Sequence, residues 1–316
     1  MNIQAIKSLY TYLESQQTAQ QFLHHCYQKL PDVDADVKSY ENCTTFMYYL
    51  RHGKLFYESG QVQHIALKPI LLFYGMAHLL KACLITKRPD YPESTTILAH
   101  GVSTRKRKKR DYNFLQDEVK LQHNGLFRYF SEHLFQVTTF PFEKIQMESL
   151  LKLIPELTTL FHFHQDESMV HVGKMGDDTL RFPTSLLDQY HLTEKAFIQR
   201  IKPYLGVMIN QTSDKKSMIL QLKQPLRDFK GPFFFNLHEQ IYFPANRDHF
   251  IPLHEVMIHY LLLYNLSMLS RYEAEWWGDL IVTKSDSDYP FIEQFLETTA
   301  KKIPILLGRE LFLMLD

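Results

Sequence analysis

The chain is 316 residues long, 45% hydrophobic and 14% aromatic, which supports a folded body with many bulky core anchors and excludes a disordered one. Thirty-five basic side chains balance thirty-five acidic ones, so any attraction to nucleic acid or to a membrane surface has to be local. Cys26, Cys43 and Cys83 are odd in number and lack a C-x-x-C spacing, which argues against a disulfide framework or zinc ribbon and for a reducing, cytoplasmic setting.

Taken in chain order, the N-terminus shows no basic stretch followed by an apolar one, so no signal peptide is expected. Apolar residues recur every three or four positions over Ala19 to Leu30, which Pro31 ends, and over Cys43 to Tyr57, predicting helices. The strongest helical pattern opens at Lys68-Pro69, where proline's missing N–H costs nothing. It is expected to run to about Lys87, before Pro89 and Pro92 stop it. The two longest apolar stretches, Ile70 to Ile85 and Val256 to Leu269, fall short of the roughly 20 residues of a membrane span. They are interrupted by His78, Lys81, His259 and Asn265 and read as buried helices. A loop carrying HGVSTRKRKKRDY follows the first, and helical pattern returns from about Phe114.

Between about 137 and 250, FHFHQ, SMVHVGKM, TLRFP, SMILQLKQ, PFFFNLHE and QIYFPAN are short β-rich runs parted by Gly, Asp, Asn and Pro, as strands are. A short helix is predicted over Thr193 to Tyr204. Helical pattern resumes at Pro252 and continues to the end. The expected architecture is α+β and predominantly α-helical: a helical region at 1–136, a β-containing middle at 137–250, and a helical return at 251–316 that packs on the first.

Six consecutive cations, Arg105, Lys106, Arg107, Lys108, Lys109 and Arg110, are the sharpest local feature of a chain with no net charge. Such a run repels itself unless water or an anion screens it. Guanidinium groups suit a phosphate grip, while an ordinary solvated loop has the same composition. His100 and Gly101 just precede it, and a glycine there lets backbone N–H groups approach an anion.

Tyr74, His78 and Lys81 are spaced i, i+4, i+7 on the strongest helix and form one polar stripe. A buried hydrogen-bond network is the favoured reading, and a ligand-facing stripe close to the start of the basic loop is the other. His254-Glu255 and His259 differ from a zinc H-E-x-x-H motif because the histidines are five apart and diverge. His162 and His164 alternate on an expected strand with His171 nearby, and read as exposed strand residues rather than metal ligands. Arg271-Tyr272 and Trp276-Trp277 are expected to pack a helix joint, with a protein interface as the other use. No phosphate-binding loop or nucleophile elbow is present, and neither metal nor cofactor is expected.

KPILLFYGMAHLLKACL, HGVSTRKRKKRDYNFLQDEVKLQHNGLF and HEVMIHYLLLYNLSMLSRYEAEWW together resemble the YaaC-like family of Gram-positive bacteria over nearly the whole chain. The resemblance implies an N-terminal helical bundle similar to the HEPN domains, which commonly dimerise and include ribonucleases as well as inactive ligand-binding relatives. The family's genes tend to lie beside that for IMP dehydrogenase, which implies a link to purine nucleotides and that enzyme as a possible partner. HEPN ribonucleases use an arginine and a histidine four to six residues apart, and Arg128 to His133 meets that spacing. Tyr129 departs from the small polar residue usual there, and a pair five apart diverges by about 140 degrees on a helix. The expectation is therefore a non-catalytic homodimeric protein that binds a phosphorylated ligand, a purine nucleotide or related signal. A metal-independent ribonuclease or RNA-binding protein is the alternative.

Overall fold

The computed structural model describes residues 3–104, 112–226, 231–284 and 287–315. The basic run Arg105 to Arg110 lies outside the described residues. The chain is α+β. Its elements begin with helices α1 (Ile3–Tyr12), α2 (Gln16–Tyr27), α3 (Ala35–Val62) and α4 (Lys68–Lys87). Strands β1 (Val102–Thr104) and β2 (Glu118–Leu121) precede α5 (Leu126–Phe135), β3 (Lys144–Gln146), α6 (Met147–Leu151) and α7 (Thr158–Phe163). Then come β4 (Met169–Lys174), β5 (Thr179–Pro183), α8 (Ser185–Tyr190), α9 (Glu194–Ile201), β6 (Met208–Ser213), β7 (Ser217–Leu222), β8 (Phe234–Phe235) and β9 (Gln240–Pro244). Helices α10 (Glu255–Tyr272), α11 (Ala274–Thr283) and α12 (Asp288–Phe312) close the described chain. Two compact units result, one of residues 2–145 with 259–316 and one of 146–258.

In the first unit α3 and α4 form a tight helical hairpin. Three glycines allow it: a Cβ on Gly53, Gly60 or Gly75 would meet the side chain of Leu79, Leu72 or Tyr57 at under 3 Å. Helix α4 begins at the expected Lys68-Pro69 and ends at Lys87. By length and apolar composition it is long enough to cross a membrane, but most of it is buried in the protein, since Leu72, Phe73, Met76, Leu79, Leu80, Cys83 and Leu84 point into the core. Helix α12 packs on α4, α1 and α3, and the Tyr10 hydroxyl donates to the carbonyl of Pro304 within it at 2.9 Å. The buried Trp277 donates its indole N–H to the Ala66 carbonyl at 3.1 Å, which pins the α10–α11 joint to the turn between α3 and α4. Trp276 meets the Tyr112 ring edge-on at 4.6 Å.

Two expectations need correction here. Helical pattern was expected from about Phe114, whereas β2 occupies 118–121 and a small antiparallel sheet, ordered β1-β2-β3 with Val102 opposite Leu121, interrupts the helices. The apolar residues Phe114, Val119 and Leu121 that mimic a helical period are buried from a turn and a strand. The turn is held by Asp288, whose carboxylate accepts from the N–H groups of Phe114 and Leu115. Helix starts only at Gly125-Leu126.

The second unit holds two antiparallel sheets, ordered β4-β9-β8 and β5-β7-β6. Phe182, Tyr190, Phe197, Phe233 and Phe243 form a largely edge-to-face aromatic core, with ring centroids 5.3 to 6.3 Å apart. The second correction falls here. FHFHQ is not a strand: Thr158–Phe163 is helix α7, with His162 in its last turn and His164 just after it. Gln165, at a φ of 59°, turns the chain. Phe161 is buried while Phe163 is 73% exposed, so the alternation that reads as a pleat is only the last turn of a short helix. The expected strand geometry of His162 and His164 therefore falls away, and no group of three metal-ligating side chains occurs among the described residues.

Candidate functional site

The first unit brings four separate parts of the chain together along the α3–α4 hairpin. Helix α4 supplies Tyr74, His78 and Lys81. The facing helix supplies Tyr49, His52 and Phe56, whose i, i+3, i+7 spacing matches that stripe. His78 lies between the two rows, stacked on Phe56 at 5.7 Å and 12°, edge-on to His52 at 5.4 Å and 5.7 Å from Tyr49. At the Tyr74 end, Arg271 from the last turn of α10 donates to the Tyr74 hydroxyl at 3.0 Å and to the Ser267 carbonyl at 3.0 Å. Its guanidinium lies 5.7 Å from the Tyr74 ring and 5.2 Å from that of Tyr272. At the other end the Lys81 ammonium stands 5.5 Å from the Tyr49 ring.

His100 completes the group, its ring 5.0 Å from Phe73, 5.6 Å from Tyr264 and 6.4 Å from Tyr74. Its carbonyl accepts from the Tyr260 hydroxyl at 2.9 Å and from the Phe127 N–H at 3.2 Å. Gly101 next to it adopts a φ of 78° and crosses Gly125 so closely that no side chain fits between them. Its conformation thus serves a backbone crossing that leads into β1. Beyond the basic run, the Tyr112 hydroxyl donates to Asp117 at 2.7 Å and Asn265 donates to the same carboxylate at 2.9 Å.

The electrostatics of the cluster are one-sided. Neither Lys81 nor Arg271 has an ion pair among the described residues, although both are half-buried. Burial lowers the Lys81 pKa. Burial, then the charges of Lys81 and His52, push His78 down to about 4. Burial, then Arg271 and Lys81, lower His100. A half-buried cation with no ion pair carries a desolvation cost that nothing nearby offsets. Within the stripe, Tyr74 accepts from Arg271, while His78 Nδ1 is buried with no partner among the described residues and is surrounded by rings.

A pH dependence follows. With a folded pKa of about 4 against the ordinary 6.5, His78 stays neutral while the unfolded chain takes up a proton, so stability falls as pH drops from about 6.5 towards 4 and levels off below. A melting temperature lower at pH 5 than at pH 7, with that difference diminished in His78→Phe, is the expected result.

Arg128 and His133 both lie on α5 but are not brought together. Arg128 donates to the Gln122 carbonyl at 2.7 Å, with its guanidinium 5.1 Å from the Phe140 ring. His133 turns to the other side, edge-on to Tyr129 at 4.3 Å, where Tyr129 donates to Glu93 and Arg88 pairs with Glu93 at 2.7 Å. His254 Nδ1 accepts from the Val256 N–H at 3.2 Å, and His259 shares a 2.8 Å hydrogen bond with Thr299, so each has a local structural role. The sequence reading missed Tyr49, His52 and Phe56 as site residues, and it read Arg271 as part of a joint or interface. Their signal was the matched polar-aromatic stripe on two successive helices.

The fold and the site define an α+β protein whose helical unit carries a half-buried, cation-rich aromatic cluster. The family model described as YaaC-like protein matches residues 11–311, and the chain belongs to the YaaC-like family. Neither the curated proteins nor the solved structures contain a match to it.

Proposed function

We propose that this protein is a non-catalytic regulatory protein that binds a phosphorylated ligand, a purine nucleotide or related signal, and relays its presence to a protein partner. The observation that carries the reading is the pair of half-buried cations Lys81 and Arg271, which have no ion pair among the described residues, with Tyr74, His78 and His100 between and beside them. An anion there restores the missing counter-charge, and phosphate oxygens match the guanidinium and ammonium donors. Arg105 to Arg110, which follow β1 in the sequence, add a second source of phosphate contacts. The divergence of Arg128 and His133 disfavours the ribonuclease alternative within one chain. The purine class and IMP dehydrogenase as partner rest on the family resemblance, as does self-association into a homodimer.

Calorimetry against a panel of purine nucleotides and short RNAs tests the reading. Saturable binding of a nucleotide is expected, with a shallower salt dependence than RNA shows, because fewer counterions are released. Absence of binding to every phosphorylated compound would overturn it. Light scattering on the same material is expected to give twice the 37.5 kDa chain mass, and a monomer at every concentration would remove the dimer.

A further inference from the structure

We propose that the site also seats a base: the ligand whose phosphate lies at Lys81 and Arg271 carries a planar aromatic ring that stacks on the exposed rings of Tyr48 and His52. This rests on the phosphate-binding reading and adds to it the identity of the ligand's other half.

A continuous line of rings runs outward from the cations. Tyr74 and Phe56 are 6.3 Å apart, Phe56 and His78 5.7 Å, His78 and His52 5.4 Å, and His52 and Tyr48 6.4 Å. The inner rings are half-buried and fill the space between α3 and α4. The outer two are not: Tyr48 is 57% exposed, His52 is exposed, and one helical turn separates them on α3. Their planes lie within 16° of parallel with centroids 6.4 Å apart, and both rings keep surface open to solvent. Core packing does not account for rings this exposed.

Position connects it to the phosphate end. The Lys81 ammonium stands 5.5 Å from the Tyr49 ring, which lies 5.7 Å from His78, itself 5.4 Å from His52, so two rings separate the cation from the exposed pair. A phosphate and a ring joined by one sugar span such a gap, whereas inorganic phosphate or a sugar phosphate reaches only the inner cations. Stacking on aromatic faces tolerates any base and gains with ring area, which favours purines over pyrimidines. A single strand of RNA would use the same chemistry over a longer track. The exposed platform here consists of just two neighbouring rings, which fits one base.

The test is calorimetry on the full chain with AMP, GMP, ribose 5-phosphate, inorganic phosphate and a tetraribonucleotide. The expected result is that AMP or GMP binds about 10- to 100-fold more tightly than ribose 5-phosphate, the usual advantage of one base stacked on an aromatic side chain. In Tyr48→Ala that advantage falls to a few-fold, while affinity for ribose 5-phosphate is unchanged, and adding His52→Ala removes the rest of it. Tyr48 is exposed, and circular dichroism checks the fold. Equal affinity of the wild type for AMP and ribose 5-phosphate would overturn the base seat and leave the phosphate site standing. Binding that strengthens steadily with RNA length would overturn it in favour of a single-strand track. Failure of all five compounds to bind would end both proposals.

Discussion

Replacing Lys81 and Arg271 together by glutamine is expected to weaken binding of a purine nucleoside monophosphate by about 10²- to 10⁴-fold. Each lost charge-assisted hydrogen bond is worth about 1.5 to 3 kcal/mol, and each tenfold change in affinity about 1.4 kcal/mol. The two side chains come from different helices, one at each end of the stripe, and in this reading they hold one ligand between them. Their effects on stability are expected to differ. Lys81→Gln removes a half-buried charge with no ion pair among the described residues and should raise the melting temperature or leave it unchanged. Arg271→Gln also removes hydrogen bonds to the Tyr74 hydroxyl and the Ser267 carbonyl and should lower it modestly. Calorimetry and thermal melts read the two effects separately. Unchanged nucleotide affinity in the double variant would show that these cations are not the phosphate site.

The largest stability effect is expected from Gly125→Ala. Gly125 sits at φ 120°, ψ 178°, a conformation that is essentially glycine's own, and costs about 1 to 3 kcal/mol for any other residue. A Cβ there would lie 2.5 Å from the Cα and N of Gly101 and 2.7 Å from the Ala99 carbonyl oxygen. All three are backbone atoms that cannot rotate away, and overpacking of this kind adds about 1 to 3 kcal/mol more. The expected loss is about 3 to 5 kcal/mol, read as a lower urea midpoint. Nucleotide affinity should fall with it, because the same crossing aligns the Ala99 and His100 carbonyls with the N–H groups of Leu126 and Phe127. Gly278→Ala is the control. Its Cβ would meet nothing within 4 Å, and on helix α11 the change should stabilise by about 0.5 to 1 kcal/mol. Equal stability of Gly125→Ala and wild type would show that the crossing is not rigid.

The helices were legible from the sequence because their causes are local. Pro69 at the start and Pro89 beyond the end bracket α4 to the residue, and the β-branched, aromatic runs at Met169, Thr179, Ser217 and Gln240 begin strands for the same local reason. Where local signals are ambiguous the reading failed. FHFH alternates as a strand does yet closes a short helix, and Phe114 to Leu121 carries apolar residues at spacings that suit either a helical face or a turn and strand. The site was only half legible. Tyr74, His78 and Lys81 stand out on one helix, but the spacing cannot say whether a polar stripe is satisfied or waiting for a ligand. That depends on what the rest of the chain brings to it. Only the tertiary structure sets Tyr49, His52 and Phe56 opposite the stripe, Arg271 at one end and His100 beside it, residues drawn from three other segments. The half-buried cations with no ion pair among the described residues belong to that assembly and to no segment alone, because desolvation and counter-charge are set by packed neighbours rather than by the chain's local order.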